Sequence, residues 1–340
     1  MPSNSDRVAG LPPSKKELLD KLLRQRAGAG DPGVGAPRGM APATIASAGN
    51  LAARQLAPRR ATPAEAGLSL TFGTSPEEVK EGYRRFYDSV SGQLDASMFG
   101  EVSFFLNYGY VPNLSPRLSA VELPDHIINK NSVRLVLEVI GDRPLEGARV
   151  LDVGCGRGGT VHVVCRFFDP AAVVGLDLSV AAIAFCRRAH RDPRMEFLEG
   201  DAEHLPFEDR SFDVVTNVES SHSYPSIESF YAEVYRVLAP NGHFLYTDVL
   251  SVADWSVKLS ALRGLGFVVE RERDITANVL LSCDEVARTR VGAFDSGNDP
   301  GLMQNFLATP GSDVYTEMSQ RRWRYSILKL RKPSDTGARQ

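Results

Sequence analysis

A doubly wound α/β domain is the fold class that this 340-residue sequence predicts, on three observations. The run Arg149–Thr160, RVLDVGCGRGGT, is an apolar strand-length stretch that ends in an acid and a glycine-rich turn. From Val133 to Leu250, apolar runs of strand length alternate with amphipathic stretches, which requires right-handed crossovers and a parallel sheet. The next runs also end in polar residues: VVGLDLS at Asp177, MEFLEGDAEHLPF at Asp201-Ala202, and FDVVTNVESSHSYP at Asn217 and Glu219.

Residues 1–74 read as an interdomain linker. Ser14–Arg26 predicts a short helix with Leu18, Leu19, Leu22 and Leu23 on one face. Gly28–Gly67 is Ala/Gly/Pro-rich and has too little apolar surface to offset its ordering entropy. Residues 75–132 read as a helical N-terminal lid. Tyr83, Phe86, Tyr87 and Val90 recur at helical spacing over Pro76–Val90, and Phe104, Phe105, Tyr108 and Tyr110 extend the aromatic density to Pro112. A helix over Leu123–Ile140 then leads into the first strand.

The core spans 133–332. After the fourth strand the sequence predicts an amphipathic helix, a turn at Pro240–Gly242 and a fifth strand ending at Asp248. A helix follows over Trp255–Leu265, then a strand in GFVVERERDI and a last strand in RRWRYSILKLRK, ending at Lys332. Residues 276–319 form an insertion with helical stretches and Gly/Asp/Pro breaks, placed to cap a substrate. Residues 333–340 are a tail.

The glycine turn sets the ligand chemistry. Gly154, Gly156 and Gly158 permit unusual dihedrals and close approach of a ligand, and Thr160 opens a helix whose N-terminal amides face it. Gly154, Gly156 and Gly159 also satisfy the dinucleotide pattern G-x-G-x-x-G. Asp152 argues against NAD, because a carboxylate there suits a cationic or hydroxyl-bearing ligand and repels a pyrophosphate. Asp177 falls 19 residues beyond Gly158, a spacing that suits the ribose hydroxyls of an adenosine.

These four ordered motifs resemble those of class I S-adenosylmethionine-dependent methyltransferases. The resemblance implies a Rossmann-like, doubly wound, seven-stranded sheet with its last strand antiparallel. It also implies S-adenosylmethionine as cofactor and S-adenosylhomocysteine as product. Asp152, Gly154, Gly156 and Gly158 are then expected around the methionine part, Asp177 and Leu178 at the ribose, Asp201 and Ala202 at the adenine, and Asn217 beside the methionine. Asn107 and Tyr108 of the lid are expected against cofactor or substrate.

His222 is the candidate base. It lies on a loop after the fourth strand, at the carboxyl edge of the sheet, and Glu219, Ser220, His222 and Pro225 together resemble the segment that small-molecule O-methyltransferases use for this purpose. Asp248, 26 residues later, matches the acid those enzymes carry. Both Glu219 and Asp248 are candidates to orient the imidazole. The segment NVESSHSYP resembles bacterial lipid and polyketide O-methyltransferases, including the phthiotriol dimycocerosate type. LPPSKKELLDKLLRQR is similar to linkers of modular synthases. Together they imply a hydroxylated acceptor, either a free small molecule or a β-hydroxyl or enol on an acyl-carrier-protein-bound chain, with neighbouring synthase domains as partners. A C-methyltransferase and a non-catalytic binding scaffold are the rival readings.

Composition narrows the remaining classes. A net charge of −3 gives no bulk attraction to nucleic acid. Cys155, Cys165, Cys186 and Cys283 show no C-x-x-C spacing, which suits free thiols in a reducing cytoplasm. No histidine–carboxylate spacing suggests a metal, and no apolar run has the length of a membrane span.

Overall fold

Val150, Leu151 and Val153 are apolar on both faces of Arg149–Val153 (β1), so this strand sits mid-sheet with both faces covered. The computed structural model describes residues 73–97, 100–112, 121–124, 127–291 and 300–334. The Ser14–Arg26 helix, the Gly28–Gly67 linker, His126 and the tail from 335 lie outside the described residues. The other strands are Ala172–Asp177 (β2), Met195–Glu199 (β3), Phe212–Val218 (β4), Leu238–Ser251 (β5), Val268–Asp274 (β6) and Trp323–Arg331 (β7). Among the described residues they form one seven-stranded sheet of order β3-β2-β1-β4-β5-β7-β6. β1 to β5 pair in parallel, and β7 inserts antiparallel between β5 and β6.

The helices are Pro76–Ala96 (α1), Lys130–Ile140 (α2), Gly159–Phe167 (α3), Val180–Ala189 (α4), Ile227–Val237 (α5), Val252–Gly264 (α6), Thr276–Val291 (α7), Pro300–Phe306 (α8) and Asp313–Ser319 (α9). They bury two cores, one on each face of the sheet. Val150, Val173 and Val214 face Leu135, Val139 and Val164 of α2 and α3, whereas Leu151, Val153 and Val215 face Phe230, Val234 and Trp255 of α5 and α6. The alternation along β1 divides the strand between the two.

α1 begins with a reciprocal Ser75–Glu78 capping box and Pro76 in its first turn. It runs past the expected Val90 to Ala96, burying Leu94. Its Asp88 accepts hydrogen bonds from Ser179 Oγ and Ala181 N, at 2.6 and 3.0 Å, and so holds the start of α4. The helix expected from Leu123 begins only at Lys130: Pro124 disfavours helical backbone before it, and Asn129 takes a left-handed φ of 55° as N-cap. The expected turn at Pro240–Gly242 coincides with a register shift near the start of β5, and continuous pairing with β4 and β7 begins at His243. Leu238 faces Phe212 while His243 faces Val214, with Asn241 at φ 62°. β5 also continues three residues beyond Asp248, because its pairing with β7 runs out to Ser251–Trp323.

Candidate active site

The carboxyl ends of the central strands open into a cavity roofed by α1 and by the 104–108 segment. The empty space within it, open mouth included, is about 1230 Å³.

The glycine turn forms one wall. Gly154, Gly156 and Gly158 all take left-handed φ, at 72°, 53° and 79°. A Cβ on Gly154 meets Ser220 Oγ at 2.2 Å, and one on Gly158 meets His190 Nε2 at 2.6 Å. Around Gly156 the nearest such atom is Leu106 Cδ1 at 4.0 Å, so this glycine alone of the three leaves its face open. Its N–H donates to Asp177 Oδ2 at 2.7 Å, and Ser179 N donates to Oδ1 at 2.8 Å. Burial nevertheless pushes the Asp177 carboxyl above its ordinary value.

Gly154, Gly156, Asp177, Leu178, Asp201, Ala202, Asn107 and Tyr108 line the cavity. Asp152, Gly158 and Asn217, expected at the cofactor, stand one layer behind the wall. Thr216 Oγ1 holds Asp152 at 2.7 Å, His190 covers Gly158, and Asn217 turns its Nδ2 to Val153 O and Ser220 Oγ at 2.8 and 2.7 Å. Asp152 Oδ2 and Asn217 Oδ1 are buried without a hydrogen-bond partner among the described residues. Burial pushes Asp152 up to about 7. Two unmet acceptors behind an open glycine suit a cationic ligand that brings N–H donors.

Asp201 is engaged from the lid. Lys80 of α1 donates to Asp201 Oδ2 at 2.6 Å and to Glu203 Oε2 at 2.8 Å. The residue that the sequence left unread is Arg157, between the glycines. It is buried, donates to Ser91 O, Ser91 Oγ, Asp95, Gly100 O and Ser103 O, and stacks 3.4 Å over the Phe185 ring. An arginine inside an otherwise apolar glycine turn was the available signal, since such a charge must find partners. Cys155 also lies in the wall, but burial pushes its thiol well up, which leaves no thiolate for nucleophilic work.

Of the two candidate carboxylates, Asp248 is the one hydrogen-bonded to His222. His222 Nδ1 lies 2.8 Å from Asp248 Oδ1, and the His222 backbone N–H donates to Oδ2 at 3.0 Å. Ser221 Oγ and Val249 N complete the hold on Asp248, at 2.5 and 2.8 Å. Burial disfavours charge on both groups. Their mutual attraction outweighs it, raising the imidazole above its ordinary value and holding the Asp248 carboxyl below its own. His222 lines the cavity, and among the described residues its hydrogen bonds are made through Nδ1 and the backbone N–H.

Glu219 has other hydrogen-bond partners among the described residues. Its Oε2 accepts from Tyr108 N at 2.9 Å and from Tyr325 OH of β7 at 2.6 Å. It takes a left-handed φ of 58° while lining the same cavity, and burial pushes it up to about 7. The inserted region contributes Phe306 of α8, which meets Phe86 and Tyr87 of α1 at ring separations of 5.3 and 6.2 Å. Among the described residues no group of three His, Cys, Asp or Glu is placed to hold a metal, and no helix is long and apolar enough to cross a membrane.

Known proteins place this arrangement. Residues 151–246 match the family described as Methyltransferase domain. The fatty-acid O-methyltransferase of Mycolicibacterium smegmatis is 36% identical over 244 residues, 68% of this chain and 84% of that protein. The chain belongs to the class I S-adenosylmethionine-dependent methyltransferases, and S-adenosylmethionine is its cofactor. Phthiotriol/phenolphthiotriol dimycocerosates methyltransferase 1 of Mycobacterium ulcerans is 38% identical over 217 residues, 62% of this chain and 75% of that protein. Among solved structures, the [4+2]-cyclase SpnF aligns with a TM-score of 0.58 at 24% identity, over 75% of this chain and 96% of that one. A geranyl diphosphate C-methyltransferase from Streptomyces coelicolor aligns at 0.54 and 18%, over 75% and 98%. A cyclase and a C-methyltransferase on one fold show that the fold does not fix the reaction.

Proposed function

We propose that this methyltransferase acts on oxygen, carrying the methyl of S-adenosylmethionine to a hydroxyl of an acyl-type acceptor with His222 as general base. The observation that carries the reading is the His222–Asp248 pair: Nδ1 is tied at 2.8 Å to a buried carboxylate while the ring lines the cavity. With Nδ1–H given to Asp248, a neutral ring presents the Nε2 lone pair to the acceptor. Asp248 then stabilises the imidazolium formed when His222 takes the hydroxyl proton. A bound S-adenosylmethionine supplies an electrophilic methyl on a sulfonium, displaced in line. The chain supplies alignment, and Gly156 leaves room beside the turn.

Tyr83, Tyr87, Phe105 and Phe306 give the cavity an apolar aromatic wall suited to a hydrocarbon chain. The names of the mycobacterial relatives agree with a lipid-type acceptor. In its finer form, the acceptor is a β-hydroxyl or enol on a chain carried by an acyl carrier protein, with the chain acting as a synthase domain. The synthase-like segment LPPSKKELLDKLLRQR supports that form.

The test uses an acyl carrier protein loaded with 3-hydroxyacyl or 3-ketoacyl chains, beside the free hydroxyacyl compounds. Each is incubated with methyl-labelled S-adenosylmethionine and read by intact mass and by label position. Label on oxygen is expected. Label on carbon returns the reaction to the C-methyltransferase class, and label only on free acceptors removes the carrier-protein form.

A further inference from the structure

Glu219 is a carboxyl group that lines the same cavity as His222, and its geometry is unusually constrained. Its backbone is in the left-handed region, a strained position for a residue with a Cβ, as recurs at functional sites. Oε2 already receives two donors, Tyr108 N from the lid and Tyr325 OH from the antiparallel strand. Tyr325 is fully buried, and its ring lies 6.3 Å from that of Tyr108. With Oε2 saturated by donors, a proton on this carboxyl belongs on Oε1. Protonated Glu219 is therefore a hydrogen-bond donor in the wall that also holds His222.

We infer that Glu219 binds a second oxygen of the acceptor, so that the enzyme selects acceptors whose methylated oxygen has another oxygen close by, with Tyr325 as the positioning residue. This deepens the O-methyl reading above and rests on it. Two sources share this chemistry: a β-hydroxyacyl group, whose carbonyl is the second oxygen, and a carboxyl group, which carries both oxygens on one carbon. A simple alcohol lacks the second oxygen, and a site built to bond it rejects the analogue without it. Burial favours the neutral acid and raises Glu219 to about 7, against the hydrogen bonds from Tyr325 and Tyr108 and the charge of His222, while Asp248 adds to the rise. The bond is therefore strongest below about pH 7 and weakens as Glu219 ionises.

The experiment compares three acceptors of equal chain length: a 3-hydroxyacyl thioester, a fatty acid and a fatty alcohol. The full chain is assayed with Glu219→Ala, Glu219→Gln and Tyr325→Phe. Wild type is expected to favour one or both two-oxygen acceptors over the alcohol by roughly tenfold or more in kcat/KM, and the thioester and acid arms say which source is used. Glu219→Ala is expected to erase that preference. Glu219→Gln keeps an acceptor for Tyr108 and Tyr325 and a permanent N–H donor at the Oε1 position. It should keep the preference and lose the rise of KM with pH that is expected of wild type above neutrality, a readout that a merely structural glutamate leaves unmoved. Tyr325→Phe should raise KM for the two-oxygen acceptor more than it lowers kcat. If Glu219→Ala fails to fold, the pH dependence of KM in Glu219→Gln decides. An unchanged preference in Glu219→Ala, or a wild-type enzyme that takes the alcohol equally well, overturns the inference while leaving O-methylation standing. If none of the three acquires an O-methyl group although the protein binds S-adenosylmethionine, the O-methyl reading falls, and this inference with it.

Discussion

His222 and Asp248, joined by a 2.8 Å hydrogen bond, are proposed above to act as a unit, and changing either tests that proposal. A hydroxyl is a weak nucleophile until its proton is taken, so His222→Ala should lower turnover roughly 10²–10⁴-fold. Calorimetry should find S-adenosylmethionine affinity little changed, because the ring serves the acceptor side. Asp248→Asn should also lower turnover, and the double variant should lose less than the product of the two effects. The imidazole is held above its ordinary value, and only the neutral ring is a base, so kcat should rise with pH through a range above that of a free histidine. Stability carries both signs. The raised imidazole contributes below the unfolded value of about 6.5 and is lost as pH climbs through its folded value. The lowered Asp248 carboxyl contributes above the unfolded value of about 3.9 and is lost on acidification through its own. Asp152 gives a separate observable. A cationic ligand should let its carboxyl, raised to about 7, ionise, so binding near neutrality should release protons, and calorimetry in buffers of different ionisation enthalpy measures this. Unchanged apparent enthalpy across buffers would show that Asp152 does not respond to the ligand. Asp177 and the glycine turn were legible in the sequence because each ends a strand-length apolar run, whereas His222 and Asp248 stood out by the resemblance of their segments to O-methyltransferases. The Glu219–Tyr325 bond was not legible, since its partners lie 106 residues apart and meet only through the antiparallel insertion of β7.

At the scale of elements, a buried side chain of the glycine turn ties it to the lid. Arg157 joins α1, the Gly100–Ser103 segment and the Phe185 ring of α4, so the roof and the floor of the cofactor side share one support. Arg157→Ala strips partners from the carbonyls of Ser91, Gly100 and Ser103 and should destabilise the protein by about 2–4 kcal/mol. It should also weaken S-adenosylmethionine binding and speed proteolytic cutting between α1 and Tyr108, while kcat at saturating cofactor falls less than tenfold, because the His222–Asp248 pair is untouched. A cofactor affinity equal to wild type would show that the lid position does not depend on this residue. The elements themselves were largely readable from the sequence. Period and length gave α1, the five parallel strands and the last strand. The misplaced boundary has a local cause: Pro124 and the left-handed Asn129 delay α2, while the Pro240–Gly242 signal coincides with the register shift between β4 and β5. Arg157 and Lys80 escaped for another reason, since nothing in a single sequence tells which buried donors a lid helix will meet.

At the scale of the whole molecule, the cavity wall draws on α1, the glycine turn, β2, the loops after β3 and β4, and α8, so a cofactor held there adds contacts to several parts at once. Ligand that binds the folded state alone stabilises it by about 2.7 kcal/mol at one hundred times its dissociation constant. For a domain of this size each kcal/mol moves the melting temperature by about 2–4 °C, so S-adenosylmethionine or S-adenosylhomocysteine at that excess should raise it by roughly 5–10 °C. NAD should give no rise, since Asp152 behind the turn opposes a pyrophosphate. Gly156→Val is the matched control. Its new side chain enters space where the nearest protein atom is 4.0 Å away, so packing within the fold is spared apart from the strain of a left-handed φ of 53°. That variant should melt within a few degrees of wild type and show no cofactor-induced rise, whereas a Cβ on Gly158 or Gly159 collides with His190 or Phe105 and should lower the melting point even without ligand. A full S-adenosylmethionine shift in Gly156→Val would place the cofactor away from this turn and remove the basis on which the cavity has been divided between cofactor and acceptor.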